Sequence, residues 1–135
     1  MKRYFLIGTM ALLVWACSTA KGTSKTSASL VQNDQDSTKY DLVIDDIHFD
    51  QWYRLNYSAA YDPTNDYYRS KDNFAVTSWN DLYNTGRYSS VIDCYIYYQP
   101  NIDYGIDLNR KLFWYFKYIR ETYRIPLLLS SPDPI

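Results

Sequence analysis

The period of the apolar positions changes along the chain, and each change marks an element. Tyr4 to Ala16 is a continuous apolar run broken only by Gly8 and Thr9. Polar residues then take over from Ser18 to about Lys39, with Leu30 and Val31 as an isolated apolar pair. YDLVIDDIHF alternates and is β-branched, which predicts a strand from Tyr40 to about Ile47. A short helical turn is expected around Gln51 to Asn56, followed by a loop that turns at Asp62-Pro63 and Asn65. Phe74, Trp79, Leu82 and Tyr83 recur at near-helical spacing and predict a helix from Asp66 to Asn84, stopped by Gly86. In SSVIDCYIYYQP, Ile92, Cys94, Ile96 and Tyr98 point one way and Asp93, Tyr95 and Tyr97 the other. That predicts a second strand, ended by Pro100. Asp103 is placed to cap the longest helix, about Tyr104 to Arg124, whose apolar stripe is Leu108, Leu112, Tyr115 or Phe116, Ile119 and Tyr123. Pro126, Pro132 and Pro134 make the last ten residues an extended tail.

The expected fold is α+β: one small domain over 40–125, ordered strand-helix-strand-helix, with a small sheet covered by helices. If the two strands pair side by side across the intervening helix, they are parallel, through a right-handed crossover. Two strands alone are marginal and need helices on at least one face.

The first run has the form of a secretory leader, with Lys2 and Arg3 ahead of a short apolar stretch and small Ala16 at its end. A membrane span needs roughly 20 apolar residues, and here polarity returns at Cys17. VWACST resembles the bacterial lipobox: Val14 is aliphatic three places before the cysteine and Ala16 is small directly before it. Trp15 is bulkier than the residue usual at its place. The resemblance implies cleavage between Ala16 and Cys17 and acylation of Cys17. Two or more acyl chains anchor stably, at about 0.8 kcal/mol per buried CH₂. On this basis 1–16 is a signal peptide, 17–39 a lipidated cysteine with a flexible tether, and 126–135 the tail. The tether follows from a composition too polar to offset its ordering entropy.

Acylation of Cys17 leaves Cys94 without an intrachain partner, as a small apolar residue in a strand pattern. Loss of Lys2 and Arg3 with the leader leaves twelve basic residues against fifteen acidic ones, a formal charge of −3. No basic patch stands out, so nucleic acid is not an expected partner. Aromatic residues make up 19% of the chain, with sixteen Tyr, more than a core of this size needs.

Three sets could carry chemistry. On a strand, Asp46, His48 and Asp50 would share one face, and a carboxylate-imidazole-carboxylate set could hold a divalent metal. A solvated strand end is the favoured reading, since zinc sites usually take more than one His or Cys and no second cluster follows downstream. DPTND at Asp62 to Asp66 has oxygen ligands but lacks the glycine and closing Glu of a calcium loop, and is expected as a turn. Tyr95, Tyr97 and Tyr104 could form an exposed surface that stacks on sugars or grips a peptide, or could pack internally under covering helices. With one histidine and no phosphate loop or nucleophile motif, no cofactor and no catalysis are expected.

YDLVIDDIHFDQW, VTSWN and YYQPNIDYGIDLNRKLFWYFKY resemble a family of small, uncharacterised lipoproteins of Bacteroidota, defined as a domain of unknown function. Pro100, Ile102, Asp103, Tyr104, Gly105, Asn109, Leu112, Tyr115 and Phe116 occupy that family's places. NTGRYSSVIDCYIYY is more apolar than the family's usual charged loop. The resemblance covers the domain and not the tether, implies an envelope location and carries over no activity. Ser18 to Gly22 contain no acid, unlike the surface-export signal of such bacteria, so the periplasmic face of the outer membrane is expected. The leading functional expectation is a non-catalytic lipoprotein, held to the membrane by its anchor at Cys17, that contacts another envelope protein. A glycan- or peptide-binding module is the alternative, and a metal-dependent enzyme a lesser one.

Overall fold

The computed structural model describes residues 25–127. They form β1 (Ser27–Gln32), β2 (Tyr40–Asp45), α1 (Phe49–Asn56), α2 (Asn65–Asn84) and α3 (Ile106–Tyr123), with a 3-10 turn at Ala59–Tyr61. The fold is α+β, as expected, but both strands come first and three helices follow. Ala16 and Cys17, and the tail beyond Leu127, lie outside the described residues.

Part of the stretch expected as tether is folded. β1 pairs with β2 antiparallel, from Ser27 opposite Asp45 to Gln32 opposite Tyr40. Side chains close the loop between them. Asn33 Oδ1 accepts the amides of Gln35 and Asp36 at 2.9 and 3.1 Å, and Asp36 Oδ1 accepts the amide and hydroxyl of Thr38 at 3.0 and 2.6 Å. Asn and Asp make such turns because their short side chains mimic backbone. A polar composition hid the strand because a hairpin lying on other elements buries only one face. Ala28 is fully buried while Leu30, Leu42 and Ile44 pack half-buried against the core.

The second expected strand, residues 91–98, keeps its alternation without joining a ladder. Ile92 and Ile96 are buried and Cys94 and Tyr98 half-buried, whereas Asp93, Tyr95 and Tyr97 are exposed. The expected parallel partner was β2, but the single bridge found is Thr26 with Ile92, parallel and beside β1. Helix α2 supplies most of the missing pairing. Asn80 Nδ2 donates to the Ile96 carbonyl at 2.9 Å and Asn80 Oδ1 accepts the Ile96 amide at 2.8 Å. Trp79 Nε1 donates to the Cys94 carbonyl at 2.8 Å. A side-chain amide carries the same donor and acceptor as a peptide, so Asn80 stands in for a neighbouring strand.

Helix α2 starts at Thr64, whose hydroxyl accepts the Tyr67 amide at 3.3 Å. It stops where Gly86, at φ +68°, lets its own amide reach the Tyr83 carbonyl and that of Arg87 the Leu82 carbonyl. This double closure is a Schellman motif, and it needs a left-handed residue at Gly86. The buried stripe of α2 is Tyr68, Asp72, Ala75, Val76, Trp79 and Leu82. Phe74 and Tyr83, expected on it, are 47% and 41% exposed: Phe74 falls outside that seven-and-four spacing, whereas Tyr83 keeps it but sits in the last turn, edge-on to Tyr95. Helix α3 buries Leu108, Leu112, Tyr115, Phe116 and Ile119, as its stripe predicts, together with Asn109, Phe113 and Tyr118. Trp79 meets Tyr115 and Phe116 at 5.8 and 6.0 Å between rings, and Phe49 of α1 meets Tyr115 edge-on at 5.5 Å. Burying each such side chain contributes about 1.5–3 kcal/mol.

The segment Pro100–Asn109, which carries the family resemblance, fastens α2 to α3. Asp103 does not cap α3. Its carboxylate accepts the Gly105 amide at 3.0 Å and Asn65 Nδ2 at 3.3 Å, and Gly105 itself takes the cap position. Gly105 has φ 84° and ψ 156°, a region open essentially to glycine alone. Fully buried Asn109 donates to Asn65 at 2.8 Å and accepts from the Tyr98 hydroxyl at 3.2 Å. Beyond α3, Ile125 and Leu127 are buried, so the core runs past the expected domain edge at 125.

Replacing Asn80 with Ala strands a buried N–H and a buried C=O of Ile96. Each unsatisfied group costs about 1–3 kcal/mol. The expected result in urea unfolding is a loss of about 2–4 kcal/mol, against less than about 0.5 kcal/mol for exposed Thr77→Ala. An Asn80 variant as mild as Thr77→Ala would contradict the stand-in role.

Candidate functional site

Helical spacing puts Asn73, Thr77, Asn80, Asp81 and Asn84 along one face of α2. With Val76 below and Tyr95 and Tyr98 opposite, they line a groove of about 330 Å³. Its second wall is the 91–98 segment, held at fixed distance by the Asn80–Ile96 pair. That pairing takes the backbone of inward Ile96, so Tyr95 and Tyr97 point outward; Tyr95 lines the groove and Tyr97 packs against Tyr95 just outside it. Their rings lie 4.8 Å apart at 53°, and Tyr83 of α2 meets Tyr95 edge-on at 6.3 Å. Tyr97 is 78% exposed and Tyr95 38%.

Tyr104 does not belong to this surface. It is 9% exposed, its hydroxyl accepts the Gln99 amide at 3.0 Å, and its ring packs against Tyr40 and Tyr98, each at 5.0 Å. The chain turns between Gln99 and Gly105 and carries that ring inward. Of the three expected surface tyrosines, two face solvent together.

The groove is a row of neutral donors and acceptors with one carboxylate, Asp81, and no histidine, cysteine, lysine or arginine among its lining residues. Such a set can hold a hydroxylated ligand and offers its aromatic rim for stacking. Just behind its head, Asp72 is fully buried, and neither of its oxygens has a hydrogen-bond partner among the described residues. Burial pushes its carboxyl well above the usual carboxylate range. The Tyr98 phenol is also raised, first by its own burial and then by Asp72, with Arg69 acting in the opposite sense.

The proposed metal face does not form. Asp46 ends β2 by turning: its carboxylate accepts the His48 amide at 2.9 Å and the hydroxyls of Tyr118 and Tyr123 at 3.2 Å each. His48 is therefore the cap residue of α1 and Asp50 lies in its first turn, 3.8 Å from Lys111. Neither extends a strand, so the two-residue period that would align the three is lost. Among the described residues no three metal-ligating side chains gather. His48 instead edges an apolar cleft of about 340 Å³ with Gln51, Trp52, Leu55, Tyr118, Thr122 and Tyr123.

Asp62, expected only in a turn, is the acceptor of an ion pair. Arg110 of α3 grips both its oxygens at 2.6–3.0 Å, and the Tyr68 hydroxyl donates to it at 2.5 Å. The Arg110 hydrogen bonds, against some burial, hold the Asp62 carboxyl below its usual range. No local pattern signals a pair 48 positions apart. Cys94 is half-buried, donates to the Ala28 carbonyl at 3.5 Å, and has its thiol pushed up by burial, which suits a packing role.

A carboxyl whose folded pKa lies above its unfolded value stabilises the fold at low pH and loses that contribution as pH rises through the folded value. Wild-type stability should therefore fall relative to Asp72→Asn as pH rises above the ordinary carboxylate range. Denaturant unfolding at a series of pH values reads this directly; parallel curves would show that Asp72 does not titrate in isolation.

No curated protein and no solved structure matches the chain. A family model described as a family of unknown function, DUF6146, matches residues 4–132, so the match takes in the stretches expected as leader and tether as well as the domain. The chain belongs to that family.

Proposed function

We propose that this chain is a lipid-anchored envelope protein that acts by binding and not by catalysis, with a glycan as the ligand of the α2 groove. The observation that carries the binding role is the pairing of a polar row, Asn73 to Asn84, with the exposed rings of Tyr95 and Tyr97. Sugars present both hydroxyls and apolar faces, and this groove offers partners for each. Its lining carries one carboxylate, Asp81, where glycoside hydrolysis uses a pair, which fits holding a ligand more than transforming one.

The address rests on the leader. Cys17 follows Ala16 in a lipobox-like setting, and acylation there fixes the domain to the membrane. The first paired residue among the described ones is Thr26, nine residues after Cys17, and nine residues span no more than about 32 Å even fully extended. The groove then works close to the bilayer. The lack of acids in Ser18 to Gly22 favours the periplasmic face of the outer membrane of a Bacteroidota cell.

One observation favours a second reading, contact with another envelope protein. Ile47 and Leu55 are 85% and 77% exposed beside the apolar cleft between α1 and α3. Crosslinking in cells that recovers one defined protein, and loses it in Leu55→Asp, would support that contact.

Tyr97→Ala removes a ring that the core does not use. It should weaken glycan binding by about two- to tenfold, the range of a lost aromatic contact, while leaving thermal unfolding unchanged. Unchanged affinity would remove the rim from the site. Cys17→Ala should abolish metabolic labelling with palmitate; retained labelling would overturn the anchor.

A further inference from the structure

The same groove restricts the kind of glycan. We infer that its ligand is a linear, neutral oligosaccharide several hexose units long, and not an acidic polysaccharide or a single sugar. This depends on the groove binding a glycan at all, and three features then define the class.

The first is length. Asn73 and Asn84 are eleven residues apart on one helix face, about 16 Å at 1.5 Å per residue, and Thr77 and Asp81 fall between them at intervals of about one turn. A repeating row of hydrogen-bonding groups suits a repeating row of hydroxyls, and one sugar ring would engage only part of it.

The second is charge. The sole charged side chain lining the groove is Asp81. Cations in the neighbouring segments are committed elsewhere. Lys25 pairs with Asp93 at 2.9 Å, Arg69 donates to the Pro100 carbonyl at 2.8 Å, and Arg87, past the end of α2, sits over the Tyr88 ring. A uronate or sulfate entering the groove would meet like charge with nothing to offset it.

The third is the matching of donors and acceptors. The Thr77 hydroxyl, which donates to the Asn73 carbonyl at 2.8 Å, accepts, while the amides of Asn73 and Asn84 both donate and accept. Sugar hydroxyls do the same, whereas a carboxylate only accepts and would leave the amide oxygens and Asp81 facing another acceptor. The 53° between Tyr95 and Tyr97 adds that two sugar faces stacked on both rings must be twisted relative to each other, as successive units of a linear chain can be.

The test is calorimetric titration of the chain from residue 17, with Cys17→Ser to keep it unacylated. The probes are neutral hexasaccharides of glucose, mannose and N-acetylglucosamine, the hexamer of galacturonate, and the matching monosaccharides. At least one neutral hexasaccharide should bind at least about tenfold tighter than galacturonate hexamer and than its own monosaccharide, a difference of about 1.4 kcal/mol. Asp81→Asn should narrow the gap between neutral and acidic hexamers. Galacturonate binding as tightly as the neutral hexamers overturns the neutral class and leaves the glycan site standing. A monosaccharide binding as tightly as its hexamer overturns the linear ligand. No carbohydrate binding at all overturns both this inference and the glycan site beneath it.

Discussion

One side-chain amide fixes the 91–98 segment to helix α2. Asn80 binds the N–H and the C=O of Ile96 at once, doing for the 91–98 segment what an adjacent strand would do. With Trp79 on the Cys94 carbonyl, it joins a helix to an extended chain by side chain to backbone contact. The consequences reach both sides of α2. Trp79 turns inward against Tyr115 and Phe116, while the row from Asn73 to Asn84 is left facing the groove. Because the clamp takes the inward residues, Tyr95 and Tyr97 are set outward. Core and candidate site are thus two faces of one arrangement.

The abundance of tyrosine has a structural explanation that phenylalanine could not provide. A two-stranded sheet supplies few ladder hydrogen bonds, and the connecting segments need other partners. Tyrosine brings a ring for the core and a hydroxyl at its end. Tyr115 meets Thr26, Tyr118 and Tyr123 meet Asp46, Tyr68 meets Asp62, Tyr98 meets Asn109 and Tyr104 meets the Gln99 amide. Each joins a packed ring to a turn or to the segment beside β1. Tyr95 and Tyr97 have no part in this task and stand outward beside the groove.

The helices were legible because their signals are local. The stripe of α3 and the Gly86 stop of α2 follow from spacing and from one left-handed residue. The alternation of 91–98 correctly separated buried Ile92 and Ile96 from exposed Tyr95 and Tyr97. It could not name the partner, because a two-residue period reports which face is buried and not what bonds the backbone. β1 was hidden for a related reason: Asn33 and Asp36 build its turn from polar atoms that composition counts against folding. The metal face over Asp46, His48 and Asp50 assumed a strand that Asp46 itself terminates. The groove depended on α2 meeting a segment beyond its own end, and no spacing within either piece shows that.

Native-state hydrogen exchange at the Ile96 amide tests the arrangement most directly. If Asn80 serves as the missing strand, this amide exchanges only through global unfolding, as protected ladder amides in a core do. An Ile96 amide that exchanges as fast as those of an exposed loop would contradict the account, since the groove's second wall would then have nothing fixing it to α2.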